Sequence, residues 1–179
     1  MDPHLKKLQT NIAEAISGLD SGQMAKHAPG KWCVGEILEH LYLTYTGTLK
    51  GCGRLLAAGK PLASRSSLQK KVRALIVVGF GYMPTGRKSP DRVRPRGLAP
   101  EKIAVEIQSK IEEMDVILTQ CASKFGTRAK VLDHPILGPF SVDQWRKFHL
   151  VHGMHHVKQI RRLKQEMQES GTQAAVLQK

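Results

Sequence analysis

Residues 141–163 read SVDQWRKFHLVHGMHHVKQIRRL. Ser141 with Gln144 three positions later has the spacing of a capping box, so a helix is predicted to start at Val142. Unrolled at about 100° per residue, it places Val142, Trp145, Ile160, Leu163 and Met167 in one narrow sector. Lys147, Lys158 and Arg161 fall on the opposite side. His149, His152 and His156 lie in the apolar sector, with His155 at its margin. A buried imidazole without a partner costs about 1–3 kcal/mol, so imidazoles stacked on a core-facing stripe need a common explanation. His152 and His156, at i and i+4, stand one turn apart and can aim ring nitrogens at one ion. The competing reading is a set of core histidines satisfied by hydrogen bonds.

Two histidines make a weak site, so a third ligand is sought on another helix. Residues 31–46, KWCVGEILEHLYLTYT, open a helix predicted from Val34 to about Ala58. Val34, Ile37, Leu38, Leu41, Leu55 and Leu56 recur at helical spacing. Glu36, three residues after Cys33, can reach back to an N-terminal amide as a cap. His40 lies near the Ile37 and Thr44 side of the apolar face. Set across a bundle from His152 and His156, it completes a three-histidine set. Three neutral ligands keep the ion's charge and leave coordination open, the pattern of a catalytic rather than a structural site.

The remaining chain reads as helix and loop. Asp2 caps a first helix, Pro3 takes its first turn, and Leu5, Leu8, Ile12 and Ile16 form its stripe, which ends near Gly18. In SSLQKKVRALIVVGF (66–80), Ser66 and Gln69 suggest a capping box, and Leu68, Val72, Leu75 and Ile76 a helical stripe. A long proline-rich basic loop follows at 82–100. A third long helix runs from about Pro100 to Phe125, with Gly126 as its stop. Residues 127–140 read as loop, and Gly47 and Gly51 as a place where a neighbour comes close. The last helix is expected to reach about Glu169, with 170–179 frayed. The expectation is one all-α domain over residues 1–169, a four-helix bundle that buries every apolar stripe, with the basic loop and short extra helix inserted between the second and third long helices.

Of the 179 residues, 41% are hydrophobic, which suits a packed core. No apolar run is long enough for a membrane span, and no membrane partner is expected. Three unpaired, widely spaced cysteines suit a reducing cytoplasm. The net charge is +13, and residues 50–102 hold 13 Lys or Arg against Asp91 and Glu101. Such a block attracts anions. With few aromatics and no nucleic-acid fold signature, it is not expected to bind nucleic acid.

Trp32 with His40 eight positions on, followed by HGMHHVKQI near the C-terminal end, resembles the DinB/YfiT-like superfamily of four-helix bundles with a three-histidine metal site. The stretch HPILGPFSVDQWRKFHLVHGMHH resembles one subgroup, and the likeness spans about residues 5–167. The resemblance implies that His40, His152 and His156 ligate a divalent ion: zinc, nickel, iron or manganese. It also implies a metal-dependent hydrolase or a transferase using a low-molecular-weight thiol, acting on a small molecule, and a homodimer. His149 is the candidate general base. His134, His155 and Gln159 are candidate pocket residues, and Trp32 and Trp145 core anchors. Arg87, Lys88, Arg92, Arg94 and Arg96 are candidates to draw in an anionic cosubstrate. The rivals are a stress-related metal binder without turnover and a basic module for nucleic acid or acidic partners.

Overall fold

The computed structural model describes residues 1–84 and 89–177, with the side chains of the last helix described to Ser170. It is mostly helical, with one small two-stranded sheet. Helix α1, Pro3–Ile16, starts at the expected cap, the Asp2 carboxylate accepting the His4 amide. The segment after Gly18 is not all loop. It holds a short helix, α2, Ser21–Ala25, closed by a reciprocal cap between Asp20 and Gln23. Its one apolar anchor, Met24, is too little periodicity to mark a helix in the sequence.

Helix α3, Val34–Ala58, has the predicted span, ends on Gly59 in the left-handed region, and begins with the Glu36 carboxylate accepting the Cys33 amide at 2.9 Å. Helix α4, Leu68–Ala74, is capped by Ser67 rather than Ser66: the Ser67 hydroxyl accepts the Lys70 amide, while Ser66 donates to the Ser67 carbonyl. It runs into a π-helical turn, Leu75–Gly79. The stripe expected to be buried here faces solvent instead: Leu68, Val72, Leu75 and Ile76 are exposed. Lys70 and Ala74 turn toward the protein, and Val77 and Val78 make the core contact against the last helix.

A 3₁₀ turn, Asp91–Val93, lies in the basic loop, and α5 spans Pro100–Phe125. Residues 127–140 also depart from the loop expectation. Strands β1, Lys130–His134, and β2, Gly138–Ser141, pair antiparallel, with Leu132 opposite Phe140 and His134 opposite Gly138. Two prolines and the interrupted register between Lys130 and Leu132 erase the simple alternation that would have marked these strands. The close approach expected at Gly51 is real, but the neighbour is a strand. A Cβ at Gly51 would stand 2.5 Å from a Leu132 methyl, whereas one at Gly47 would meet no neighbouring element among the described residues within 4 Å.

Helix α6, Val142–Leu177, opens with the predicted box: the Ser141 amide donates to Gln144 and the Gln144 amide to Ser141 Oγ. It continues past Glu169 through the segment expected to fray, since that segment lacks proline and one glycine costs a helix only about 1 kcal/mol. Residues 178–179 of the predicted tail lie outside the described residues. The long helices α1, α3, α5 and α6 share one core, α1 lying on α6 and α3 on α5. Among the described residues, no helix is long and apolar enough to cross a membrane.

Candidate metal centre

His40 of α3 meets His152 and His156 of α6 where the two helices face one another across a cleft. Their ligand atoms all lie within 4.8 Å of one another. His152 Nε2 is 3.2 Å from His40 Nε2 and 3.1 Å from His156 Nε2. His40 and His156 are buried and His152 is half-buried.

The far side of each ring explains how it is held. His40 Nδ1 donates to the Val93 carbonyl at 2.8 Å. A carbonyl only accepts, so the proton sits on Nδ1 and Nε2 is a bare lone pair. His156 Nδ1 meets Gln159 Oε1 at 2.8 Å, and the Gln159 amide nitrogen lies 3.1 Å from His155 Nε2. With that orientation His156 also presents a lone pair at Nε2. Among the described residues, His152 has no protein partner at Nδ1. Its ring is instead stacked on Phe148, with centroids 5.4 Å apart and planes 8° from parallel. Two lone pairs thus converge on His152 Nε2, an arrangement that could hold a cation among the rings. Imidazoles whose other nitrogen is tied to a carbonyl are typical of metal-ligating histidines.

Burial lowers the pKa of His40, partly offset by its bond to Val93. His152 is pushed well below the usual range by burial, then by His156 and His40. His156 falls to about 3 through burial and His40, against its bond to Gln159. All three rings are therefore neutral at neutral pH, the form that ligates.

Glu39, which the sequence reading missed, fastens the loop that reaches His40. It is buried, and its carboxylate accepts the amides of Arg96 (2.7 Å), Gly97 (3.0 Å) and Leu98 (3.1 Å). These bonds anchor the strand of loop whose Val93 carbonyl orients His40. A glutamate beside a histidine on a buried helix turn was the available signal. Glu36, one turn earlier, serves as the helix cap.

His149 does not sit in the cleft. It is fully buried, with Nε2 3.0 Å from Thr48 Oγ1 and its ring between Tyr45 and Trp145. Burial lowers its pKa to about 3. A base must reach the proton it takes, and this ring has neither the access nor the basicity, so the structure argues against that role. His134 does two things: its Nδ1 accepts the Ile136 and Leu137 amides in the hairpin turn, and its ring lies 4.5 Å from that of Phe148, lining the cleft. Trp145 is a core residue, whereas Trp32 is half-buried at the cleft, its ring 5.3 Å from that of His40.

The cleft has a volume of about 1740 Å³. Arg54, Arg73, Arg92, Arg94, Arg96 and Arg162 stand along it. Of the expected basic residues, Arg94 is already paired with Asp91 at 2.9 Å, and Arg87 and Lys88 lie outside the described residues. A second group that brings ligand atoms together, His27, Cys33 and Glu36, is poorer: His27 is exposed, Glu36 is committed to the cap, and burial raises the Cys33 thiol.

Residues 1–163 match the family described as a protein of unknown function, DUF1569, and the chain belongs to that family. No curated protein and no solved structure matches it.

Proposed function

We propose that this protein is a metal-dependent enzyme built as a DinB-like four-helix bundle, with His40, His152 and His156 holding a divalent ion. The observation that carries the reading is the convergence of three Nε2 atoms within 4.8 Å at the wall of an open cleft. Imidazole suits zinc, nickel and iron, whereas manganese favours oxygen ligands. When bound, such an ion supplies Lewis acidity toward water or a thiol. Thiol transfer or hydrolysis of a small molecule is the reaction class we favour, in a reducing cytoplasm and as a homodimer. Three free, buried cysteines are in keeping with that compartment.

The chain's own residues divide the work. Val93 and Gln159 hold two of the ligand rings in the neutral tautomer that presents Nε2. Trp32, Phe148 and His134 form an apolar and aromatic wall that excludes water from one side of the site. The arginines of the rim, Arg92 among them, attract an anionic substrate or cosubstrate.

The test is elemental analysis of protein purified without a histidine tag, beside His40→Ala, His152→Ala and His156→Ala. Stoichiometric metal in the wild type and its loss from each variant are expected. Full retention in all three variants would defeat the site. Consumption of an electrophile that depends on both the metal and an added cellular thiol then separates transferase from passive binder; metal without turnover would favour the binder.

A further inference from the structure

On the outer face of α4 the usual distribution of polarity is reversed. Leu68 is 77% exposed and Phe80 79%, and Val72, Leu75, Ile76 and Tyr82 are exposed beside them in the chain. At helical spacing, Leu68, Val72 and Leu75 fall on one side of α4, away from half-buried Lys70 and Ala74. The stripe is firmly mounted. Val77 and Val78 are buried against α6, and Lys147 of α6 donates to the Gly79 carbonyl at 3.2 Å. Exposed apolar side chains gathered on a mounted element mark an interaction surface.

Charge identifies what covers it. Between Glu39 and Asp91 the chain has nine Lys or Arg and no Asp or Glu. Lys60, Arg65, Lys71 and Arg73 are exposed, and Lys71 and Arg73 lie on the same helix as the stripe. Asp133, which reaches the segment from β1, is taken up by the Ser64 amide at 3.0 Å. A second copy docked through the same face would gather Lys71 and Arg73 of both copies at one interface, with no carboxylate from the 40–90 segment to offset them. The helical stretch 68–79 is about 18 Å long, a short element for a stable dimer face of about 800 Å² per partner. A short apolar stripe with aromatic residues at its end and cations at its flanks matches the interfacial helix of a peripheral membrane protein.

We infer that this face docks on the surface of an anionic lipid bilayer. Leu68, Val72, Leu75 and Phe80 enter the acyl boundary, and Lys71 and Arg73 meet the headgroups. This revises the expectation of no membrane partner without requiring a span. Arg73 and Ile76 also line the metal cleft, so the docked cleft opens beside the headgroups.

Co-sedimentation of the full chain with vesicles tests this. Wild type is expected to sediment with phosphatidylcholine–phosphatidylserine vesicles, to release on adding salt, and to ignore pure phosphatidylcholine. A Leu68→Ser, Leu75→Ser, Phe80→Ser variant should lose about tenfold or more in partitioning, with circular dichroism and metal content unchanged. Lys71→Glu with Arg73→Glu should remove most of the salt-sensitive part. Absence of binding to the anionic vesicles, or equal partitioning of the triple variant, overturns the inference. So does concentration-dependent dimerisation in ultracentrifugation that the triple variant abolishes and vesicles do not compete away; that result assigns the stripe to a second copy.

Discussion

On α6, His152 and His156 owe their alignment to helical geometry, one turn apart on a continuous helix with Gln159 a turn further on. On α3, His40 is aimed by a carbonyl 53 residues away, at Val93, in a loop that Glu39 ties down through three amides. One arm is local and the other is tertiary. The local arm should survive changes in loop 91–98, whereas the tertiary arm should not.

The largest expected effect comes from the point where the arms meet. His152→Ala removes the ring within hydrogen-bonding distance of both others. Metal affinity should fall by more than about 100-fold, beyond the usual loss for an outer partner. Equilibrium dialysis or a competing chelator reads this directly, and a small loss would mean that the arms do not share an ion.

Glu39→Ala probes the tertiary arm alone. It leaves three amides without their acceptor and frees the Val93 segment. A loss of about 10–100-fold in metal affinity is expected, with faster proteolysis within 91–98 and little change in helix content. Unchanged affinity would show that His40 keeps its aim without the clip.

Gln159→Leu is the matching change on the local arm. It removes one bond to His156 while helix geometry still sets the ring's position. The loss should lie near the low end, about tenfold, and smaller than for Glu39→Ala. If Gln159→Leu proves the worse of the two, the order of the arms is reversed.

Acid probes the metal-free fold rather than the affinity of either arm. Burial lowers His134 to about 4, and His149 and His156 to about 3, from an ordinary 6.5. The unfolded chain therefore binds protons that the folded chain refuses. Stability of the metal-free protein should be full above about pH 6.5 and fall as pH drops toward 3, by at most about 1.4 kcal/mol per group per pH unit. Thermal unfolding across that range checks the sign. A midpoint that does not fall would mean these rings are solvated.

The difference between the arms is also the difference in what could be read from sequence. Spacing alone places His152 and His156 on one face, and Ser141 and Gln144 set the helix start. His40 was legible as a helix-face histidine, but the task of Glu39 beside it was not, because its three partners lie 57–59 residues away and no periodicity records them. The 130–141 hairpin was missed because prolines and an interrupted register hide its alternation. His149 was misread because the same stripe that carries His152 and His156 continues into the core, where its partner is Thr48. Apolar spacing on α4 showed a helix but not its orientation, since its bounding charges do not say which side meets the protein.

Gly153 lies between His152 and His156, and any side chain there would collide with Leu8 of α1. The N-terminal helix is thereby seated in a notch cut into the rod of α6. Shortening or displacing those opening turns should let the rod roll about its long axis, and the first sign would be a changed metal spectrum rather than a melted fold.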